Sequence, residues 1–216
     1  MIKAIIFDFD GVIVESSEIK TNAFRTIFSQ FPDVIPEILE YHIQNMGVSR
    51  YTKFRHIYTE ILRQPYSDIL GNKLGLAFSE IVFGEIVSAP LVSGIRDFLE
   101  NNLSRYSFFI ASGTPEVELL EIAARKRISH LFQGIYGTPR TKVEIVQSII
   151  NKYNLLPREV ILVGDAETDR IAACEANVNF VARITHENLQ LFKTEENKIV
   201  DFISFTNVIT SIESYL

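Results

Sequence analysis

The sequence predicts an α/β fold, in which a doubly wound, Rossmann-like parallel sheet carries a small all-helical cap inserted after the first strand. Three observations lead to this prediction. The apolar run 5–7 near the amino terminus has the character of a buried strand. A long stretch with only helical periodicity follows it. From Gly94 onward, apolar strands and helices alternate, which is typical of a parallel sheet with crossover helices.

The inserted stretch contains four patterns of helical period, in which apolar residues recur at spacings of three and four. They run from Ile19 to Phe31, from about Pro36 to Met46, from Ser49 to Leu62 and from Ser67 to Ile81. Turn-forming residues lie on both sides, with Gly11 before the stretch and Ala89-Pro90 after it. We therefore expect a helical cap domain at residues 16–87 and an α/β core domain formed by residues 1–15 plus 88–216.

The second part of the chain contains several strand and helix units. A strand at 107–111 ends at Ser112-Gly113-Thr114-Pro115, where Thr114 fits an N-cap and Pro115 the first helical position. Thr141 and Glu144 have the spacing of a capping box and predict the start of a later helix. Further strands are expected near 135–136, at 160–163 and at 179–182, and a last helix near 206–215.

Composition excludes several classes of protein. The 216 residues have a formal net charge of −6 and no run of Lys and Arg, so we expect no nucleic acid partner. No stretch approaches the ~18 apolar residues of a membrane span, and acidic residues follow too soon after the start for a standard export signal. We expect a cytoplasmic protein, with Cys174 as a buried, inert thiol.

Polar side chains collect where the predicted strands end, and ligands of open parallel sheets bind outside the carboxyl ends of the strands. Ionised carboxylates are rarely buried without a cation or donors, so paired acids at a strand end predict a metal ion and chemistry on a phosphate. The residues concerned are Asp8, Asp10, Ser112, Lys142, Asp165 and Asp169. The four histidines have no spacing that indicates a metal cluster or triad.

These residues closely resemble, in order and separation, the four motifs of the haloacid dehalogenase-like hydrolase superfamily. The motifs are Asp8-Phe9-Asp10-Gly11-Val12, Ser112, Lys142 and Gly164-Asp165-Ala166-Glu167-Thr168-Asp169, and they span most of the chain. The insertion resembles the helical cap of the subgroup that contains phosphoglycolate phosphatase and β-phosphoglucomutase. One residue departs from the pattern: Glu15 stands at the hinge, where relatives commonly carry Asp.

The resemblance implies a role for each motif. Asp8 is expected to attack phosphorus and form an aspartyl-phosphate, while Asp10 acts as general acid and base. Mg²⁺ is the expected cofactor, held by the Asp8 carboxylate, the Asp10 backbone carbonyl and the Asp165 carboxylate, with Asp169 binding a metal-bound water. Ser112, the Gly113 amide and Lys142 are expected to hold the phosphoryl oxygens. In the cap, Gly47-Val48-Ser49-Arg50 resembles a phosphate-contacting segment, which makes Arg50 a candidate substrate ligand.

The resulting expectation is a Mg²⁺-dependent phosphatase for a small phosphorylated metabolite, such as a sugar phosphate or phosphoglycolate, acting as a monomer or small homo-oligomer. A phosphomutase of the β-phosphoglucomutase type remains open as the alternative. A dehalogenase is disfavoured because that branch lacks the second acid, Asp10. A phosphonate hydrolase would need a Schiff-base lysine in the cap, for which Lys53 or Lys20 is a loose candidate. A more remote alternative is a phospho-accepting regulatory module without turnover.

Overall fold

The computed structural model describes residues 1–215; position 216, the last residue of the predicted core domain, lies outside this range. The strands in the described range are β1 (Ala4–Phe7), β2 (Ser107–Pro115), β3 (Gly134–Thr138), β4 (Val160–Gly164), β5 (Asn179–Arg183) and β6 (Lys198–Ile199). The α-helices are α1 (Ser17–Ile27), α2 (Ile35–Gln44), α3 (Arg50–His56), α4 (Asp68–Ser88), α5 (Ile95–Asn102), α6 (Glu116–Arg125), α7 (Lys142–Lys152), α8 (Glu167–Glu175) and α9 (Phe205–Glu213).

The six strands form one parallel sheet in the order β3-β2-β1-β4-β5-β6. β1 lies inside the sheet, where Ile6 is in register with Phe109 of β2 and Leu162 of β4. All four β1 residues are buried, as is usual for a parallel strand that is covered on both faces. The predicted α/β, Rossmann-like class is confirmed, and the carboxyl ends of β1, β2 and β4 lie side by side.

Each face of the sheet has its own apolar core. Ala4 and Ile6 of β1 face a smaller cluster, which includes residues of α7 and α8. Ile5 and Phe7 face a larger cluster, which includes α5, α6 and α9 and continues into the helical segment between β1 and α5. The alternation along β1 therefore sends successive side chains into different layers, and the helices on both faces fix the sheet that positions the strand ends.

Helices α1 to α4 pack on one another as a helical lobe, with Phe24, Phe54 and Phe78 at its centre. The ring centroids of Phe24 lie 5.5 Å from Phe54 and 5.2 Å from Phe78, which is within the range of favourable aromatic pairs. All four predicted helical patterns are present, and α3 is extended by a π-helical turn, Ile57–Ile61. The domain boundaries 16–87 and 1–15 plus 88–216 stay a proposal.

A cation of the core holds each of the two chain segments that join the lobe to the core. Arg183 of β5 donates to both carboxylate oxygens of Glu15, at 2.6 and 3.1 Å, and to the carbonyl oxygen of Gly11. Glu15, the residue that departs from the family pattern, thus forms an ion pair with Arg183, which ties the first joining segment to β5. At the other segment, the Lys126 ammonium donates to three carbonyl oxygens at and after the carboxyl end of α4, including that of Ala89 at 2.5 Å.

Several predictions made from the sequence are wrong. The helix after β2 begins at Glu116 instead of Pro115, and Thr114 is not its N-cap because the Thr114 hydroxyl is bonded to Asp10. Cys174 is exposed, since the alanines of α8 occupy the face that packs on the sheet.

The sequence did not predict the short strand β6. Across residues 1–215, no helix combines the length and apolar character needed to cross a bilayer.

Candidate active site

The candidate site is a cavity between the carboxyl ends of the strands and the helical lobe. The core contributes Asp8, Asp10, Gly113 and Asp165 to its lining. The lobe contributes cationic side chains and aromatic rings to the lining, namely Lys20, Arg50, Lys53, Phe24, His42 and Phe78. Of the other site residues predicted from the sequence, Ser112, Lys142 and Asp169 are buried, and Lys142 reaches the cavity-lining Asp8 through a hydrogen bond of 2.7 Å.

The acidic residues of three chain segments meet in one cluster. Carboxylate oxygens of Asp8, Asp165 and Asp169 all lie within 4.8 Å of one another, and all three side chains are buried. The Lys142 ammonium donates to Asp8 Oδ2 at 2.7 Å and to Asp169 Oδ1 at 2.5 Å. Asp165 Oδ2 has no hydrogen-bond partner among the described residues. One cation therefore faces three carboxylates.

Glycine is required beside this cluster. Gly11 has a φ of +74°, which side chains rarely adopt, and a Cβ atom there would lie 2.0 Å from Asp165 Oδ2. The turn after β1 can therefore bring the backbone against the carboxylate only with glycine at this position. The close approach places the Asp8 to Asp10 segment directly beside Asp165.

The pKa values of the cluster reflect an excess of negative charge. Burial raises the pKa of Asp165 well above its usual range, and the charges of Asp8 and Asp169 raise it further. Burial likewise raises the pKa of Asp169 to about 7, although Lys142 opposes this effect. The two carboxylates outweigh the effect of burial on Lys142 and raise the pKa of its ammonium. A divalent cation would relieve the repulsion among the three carboxylates that the single charge of Lys142 does not neutralise.

The cluster fits a hard divalent cation such as Mg²⁺. Mg²⁺ prefers oxygen ligands and is usually held by one or two carboxylates with several waters. The unpartnered, buried Asp165 oxygen and the neighbouring carboxylates of Asp8 and Asp169 form such a set of donors. Asp8 and Asp165 are the residues that could hold the ion directly, with Asp169 beside them.

Asp10 accepts hydrogen bonds at both carboxylate oxygens. Oδ2 accepts from the Lys20 ammonium and from the Thr114 hydroxyl at 2.8 Å, while Oδ1 accepts from the Ser16 hydroxyl at 2.8 Å. Burial alone would raise the pKa of Asp10, but the charge of Lys20 and these hydrogen bonds lower it below its usual value. The sequence analysis did not predict that Lys20, Thr114 and Ser16 donate hydrogen bonds to Asp10. The spacing of four between Ser16 and Lys20 was the available signal, because it places both side chains on one face at the start of α1.

Two glycines let the lobe approach the end of β2. A Cβ atom on Gly113 would lie 2.6 Å from the carbonyl oxygen of Gly47 in the lobe. A Cβ atom on Gly47, whose φ is +78°, would lie 2.0 Å from the hydroxyl oxygen of Thr168 in the core. Next to Gly113, the Ser112 hydroxyl accepts a hydrogen bond from the Thr114 amide at 3.1 Å. The site therefore closes through backbone contacts at these glycines.

Arg50 lines the cavity but is already paired. Its guanidinium donates to both carboxylate oxygens of Glu118 on α6, at 2.8 and 3.1 Å, and to the Ser79 hydroxyl at 2.8 Å. It also lies 4.4 Å from the centre of the Phe78 ring. The Arg50 and Glu118 side chains are only 4% and 10% exposed. This pair joins the lobe to the core, and the predicted role of Arg50 as a substrate ligand stays a prediction.

Lys53 and His42 form a second buried pair in the lobe, and both line the cavity. The Lys53 ammonium lies 3.0 Å from His42 Nδ1 and 3.2 Å from the His42 carbonyl oxygen. Burial lowers the pKa of Lys53 to about 7, and the charges of Lys20 and Lys142 add to this effect. Burial, together with Lys53, lowers the pKa of His42 to about 2, so the imidazole is neutral. Sequence reasoning assigned no chemistry to His42.

Comparison with known proteins agrees with this arrangement. Residues 5–183 match the model of the family described as haloacid dehalogenase-like hydrolase. The chain belongs to this family. The matched range includes Asp8, Lys142 and Asp165, and it confirms the resemblance that the four motifs indicate.

Individual proteins are similar to this chain over most of its length. The phosphorylated carbohydrates phosphatase of Thermotoga maritima is 26% identical over 192 residues, which cover 85% of this chain and 86% of that protein. The structure is similar to that of β-phosphoglucomutase from Clostridium difficile, with a TM-score of 0.80 and 21% identity over 100% of this chain and 99% of that one. It also resembles a predicted phosphoglycolate phosphatase from Haemophilus somnus, with a TM-score of 0.75 and 17% identity over 96% and 98% of the two chains.

Proposed function

We propose that the protein is a Mg²⁺-dependent phosphatase that hydrolyses a small phosphorylated metabolite, such as a sugar phosphate or a phosphoglycolate-like ester, through an aspartyl-phosphate at Asp8. The observation that carries the proposal is the buried cluster of Asp8, Asp165 and Asp169 around Lys142, at the carboxyl end of β1 and under the lobe. The Thermotoga maritima relative is a phosphorylated carbohydrates phosphatase by name, which supports this class of substrate.

Asp8 is the nucleophile in this proposal. A carboxylate oxygen of Asp8 forms a bond to phosphorus as the bond to the leaving alcohol breaks, which divides the hydrolysis into two steps. Lys142 and the Phe9 amide donate to the two Asp8 oxygens and fix the orientation of the carboxylate. When Mg²⁺ is bound, it neutralises charge on the phosphoryl oxygens and offsets the repulsion within the acidic cluster. The Gly113 amide and Lys142 stabilise the transferring group.

Asp10 moves the proton in both steps. It gives a proton to the leaving oxygen in the first step and takes one from water in the second. The charge of Lys20 lowers the pKa of Asp10, which makes the protonated form a strong acid in the first step and keeps the ionised form stable between the two steps, until it takes a proton from water. Thr114 and Ser16 hold the carboxylate in one orientation during both transfers. Contacts between the lobe and the core at Gly47 and Gly113 exclude bulk water while the proton moves.

The experiment is phosphate release from para-nitrophenyl phosphate and from a panel of sugar monophosphates and phosphoglycolate, with Mg²⁺ or with EDTA. We expect multiple turnovers only with Mg²⁺. Asp8→Asn, which keeps the shape of the side chain, is expected to lower kcat by at least about a thousandfold. Asp68→Asn, which removes an acid that is 90% exposed on the lobe, is the matched control. Turnover that survives Asp8→Asn would refute the proposal.

The same panel separates the alternatives. A phosphomutase would convert a sugar monophosphate into its isomer in the presence of the bisphosphate, with little release of phosphate. The pairing of Arg50 with Glu118 favours hydrolysis, because the Arg50 guanidinium is already neutralised and is not free to hold the second phosphate of a sugar bisphosphate. A regulatory module would accept one stable phosphoryl group per chain and then stop. The cavity enclosed between the lobe and the core favours an enzyme, since a switch has no need to surround a small substrate.

A further inference from the structure

The cations around the cavity differ in how they are neutralised. Lys20 is paired with Asp10, Arg50 with Glu118, and Lys142 with two carboxylates of the acidic cluster. Lys53 has no carboxylate partner among residues 1–215, although its side chain is buried and lines the cavity. Buried ammonium groups are normally paired with an anion. No described residue supplies this counter-ion to Lys53, so we expect it to come from a ligand.

His42 orients Lys53. A protonated ammonium has no lone pair, so the contact to His42 Nδ1 makes that nitrogen the acceptor and leaves the imidazole proton on Nε2. His42 Nε2 is buried and has no partner among the described residues. The imidazole ring is held against Phe24, with 4.3 Å between the ring centroids. The pair therefore presents one positive charge without a carboxylate partner, and one N–H donor without an acceptor, among the described residues.

We propose that Lys53, oriented by His42, binds a second anionic group, a carboxylate or a phosphate, on the part of the substrate that is not transferred. This inference rests on the proposed phosphatase function and assigns the residue that selects the substrate. The acidic cluster of the core repels such an anion, and the other cations of the cavity are already paired. The second anion therefore lies toward the lobe while the reacting phosphate lies at Asp8.

Recognition by Lys53 depends on pH. Its ammonium is buried and close to the positive charges of Lys20 on α1 and Lys142 on α7, while the partner on α2, His42, is neutral. With a pKa lowered to about 7, Lys53 is largely neutral in the free protein under mildly alkaline conditions. An anion beside it restores the charge, so such a ligand binds together with a proton. A substrate without a second anion binds without this uptake.

The binding test uses the Asp8→Asn protein, which holds ligand without turnover. Phosphoglycolate and 2-hydroxyethyl phosphate differ only by a carboxylate in place of a hydroxymethyl group. Calorimetry at about pH 8, in two buffers of different ionisation enthalpy, is expected to report uptake of nearly one proton for phosphoglycolate and none for the comparator. Uptake is expected to vanish when Lys53→Met is added. Equal uptake for both ligands, or uptake that persists without Lys53, would overturn the inference.

The activity test measures the ratio of kcat/KM for a substrate with a second anion to that for its neutral comparator. One arm uses phosphoglycolate and 2-hydroxyethyl phosphate; the other uses glucose 1,6-bisphosphate and glucose 1-phosphate. The arm with the larger ratio identifies the anion as carboxylate or phosphate. We expect the ratio to fall as the pH rises from about 6 to about 8.5, because Lys53 loses its proton in this range.

Variants separate recognition from folding. Lys53→Met is expected to lower the ratio by about tenfold to a hundredfold, which corresponds to a lost hydrogen bond to a charged group. Lys53→Arg keeps the charge and is expected to keep a high ratio that no longer changes with pH. Lys73→Met, which removes the same charge from an exposed position on α4, is the control with an unchanged ratio. A ratio that Lys53→Met leaves intact would refute the role of Lys53, whereas turnover by Asp8→Asn would refute only the proposed phosphatase.

Discussion

The pair formed by Arg50 and Glu118 is expected to hold the lobe closed, and Glu118→Gln tests this role. Arg50 lies on α3 of the lobe and Glu118 on α6 of the core, so their two hydrogen bonds join the lobe to the core beside the cavity that Arg50 lines. Glutamine keeps the shape of the side chain but removes the negative charge. The Arg50 guanidinium then keeps the hydroxyl of Ser79 and one amide oxygen as acceptors, in a position where it is 4% exposed.

The size of the effect follows from burial. Removing one partner of a buried ion pair costs about 3–5 kcal/mol when the other charge stays buried. Opening of the lobe lets water reach Arg50 and limits this cost, so we expect the closed form to lose about 2–3 kcal/mol relative to the open form. This loss lowers the ratio of closed to open protein by about 30- to 150-fold. The expected result is a higher KM with a smaller change in kcat, because Glu118 does not line the cavity.

Two measurements detect the lower ratio of closed to open protein. They are kcat/KM for the best substrate of the panel and hydrogen exchange of the backbone amides in segment 46–53. Exchange is expected to accelerate in Glu118→Gln as the segment separates from the core. Asp68→Asn is the matched control, since the pair formed by Arg55 and Asp68 is 63% and 90% exposed and should contribute about 0.5 kcal/mol or less. If Glu118→Gln behaves like Asp68→Asn in both measurements, the reasoning is refuted.

Three further predictions concern the acidic cluster and the joining segments. Gly11→Ala is expected to lower Tm and weaken Mg²⁺ binding, because its Cβ atom would lie 2.0 Å from the Asp165 carboxylate; unchanged Mg²⁺ titrations would contradict this. Mg²⁺ should raise Tm more at about pH 7.5 than at about pH 5.5. The reason is that the pKa values of Asp165 and Asp169 are raised, so protons compete with the ion for these carboxylates at the lower pH. A rise that is independent of pH, or that persists in Asp165→Asn, would be the contrary result. Lys126→Met should lower the free energy of unfolding by about 2 kcal/mol, because carbonyl oxygens such as that of Ala89 lose their donor. Urea titration measures this loss, and a value below about 0.5 kcal/mol would refute the prediction.

The fold was predictable because its signals are local. The apolar run of β1, the capping box at Thr141 and the four helical patterns each depend on neighbouring residues, and the structure contains all of them. Cys174 was misplaced for a physical reason. Small alanines face the core on α8, so its apolar composition gave no indication of which face Cys174 occupies.

The site was predictable where residues follow strand ends and unpredictable where partners come from distant segments. Asp8 and Asp165 follow β1 and β4, which are neighbours in the sheet, so their proximity follows from the topology. Pairing of Arg50 with Glu118, and of Lys53 with His42, depends on how the lobe packs, which periodicity alone does not determine. Thr114 appeared to be a helix cap because the hydroxyl that binds Asp10 is also the group that caps helices.

The most direct test of the central claim is to trap the covalent intermediate. The protein is mixed with Mg²⁺ and a good substrate, quenched during turnover and reduced with borohydride, which converts an acyl-phosphate of aspartate into homoserine. Tandem mass spectrometry then locates the modified residue. Our account predicts homoserine at position 8, absent when Mg²⁺ or substrate is left out. Homoserine at another aspartate, or unmodified Asp8 in a protein that turns over, would contradict it.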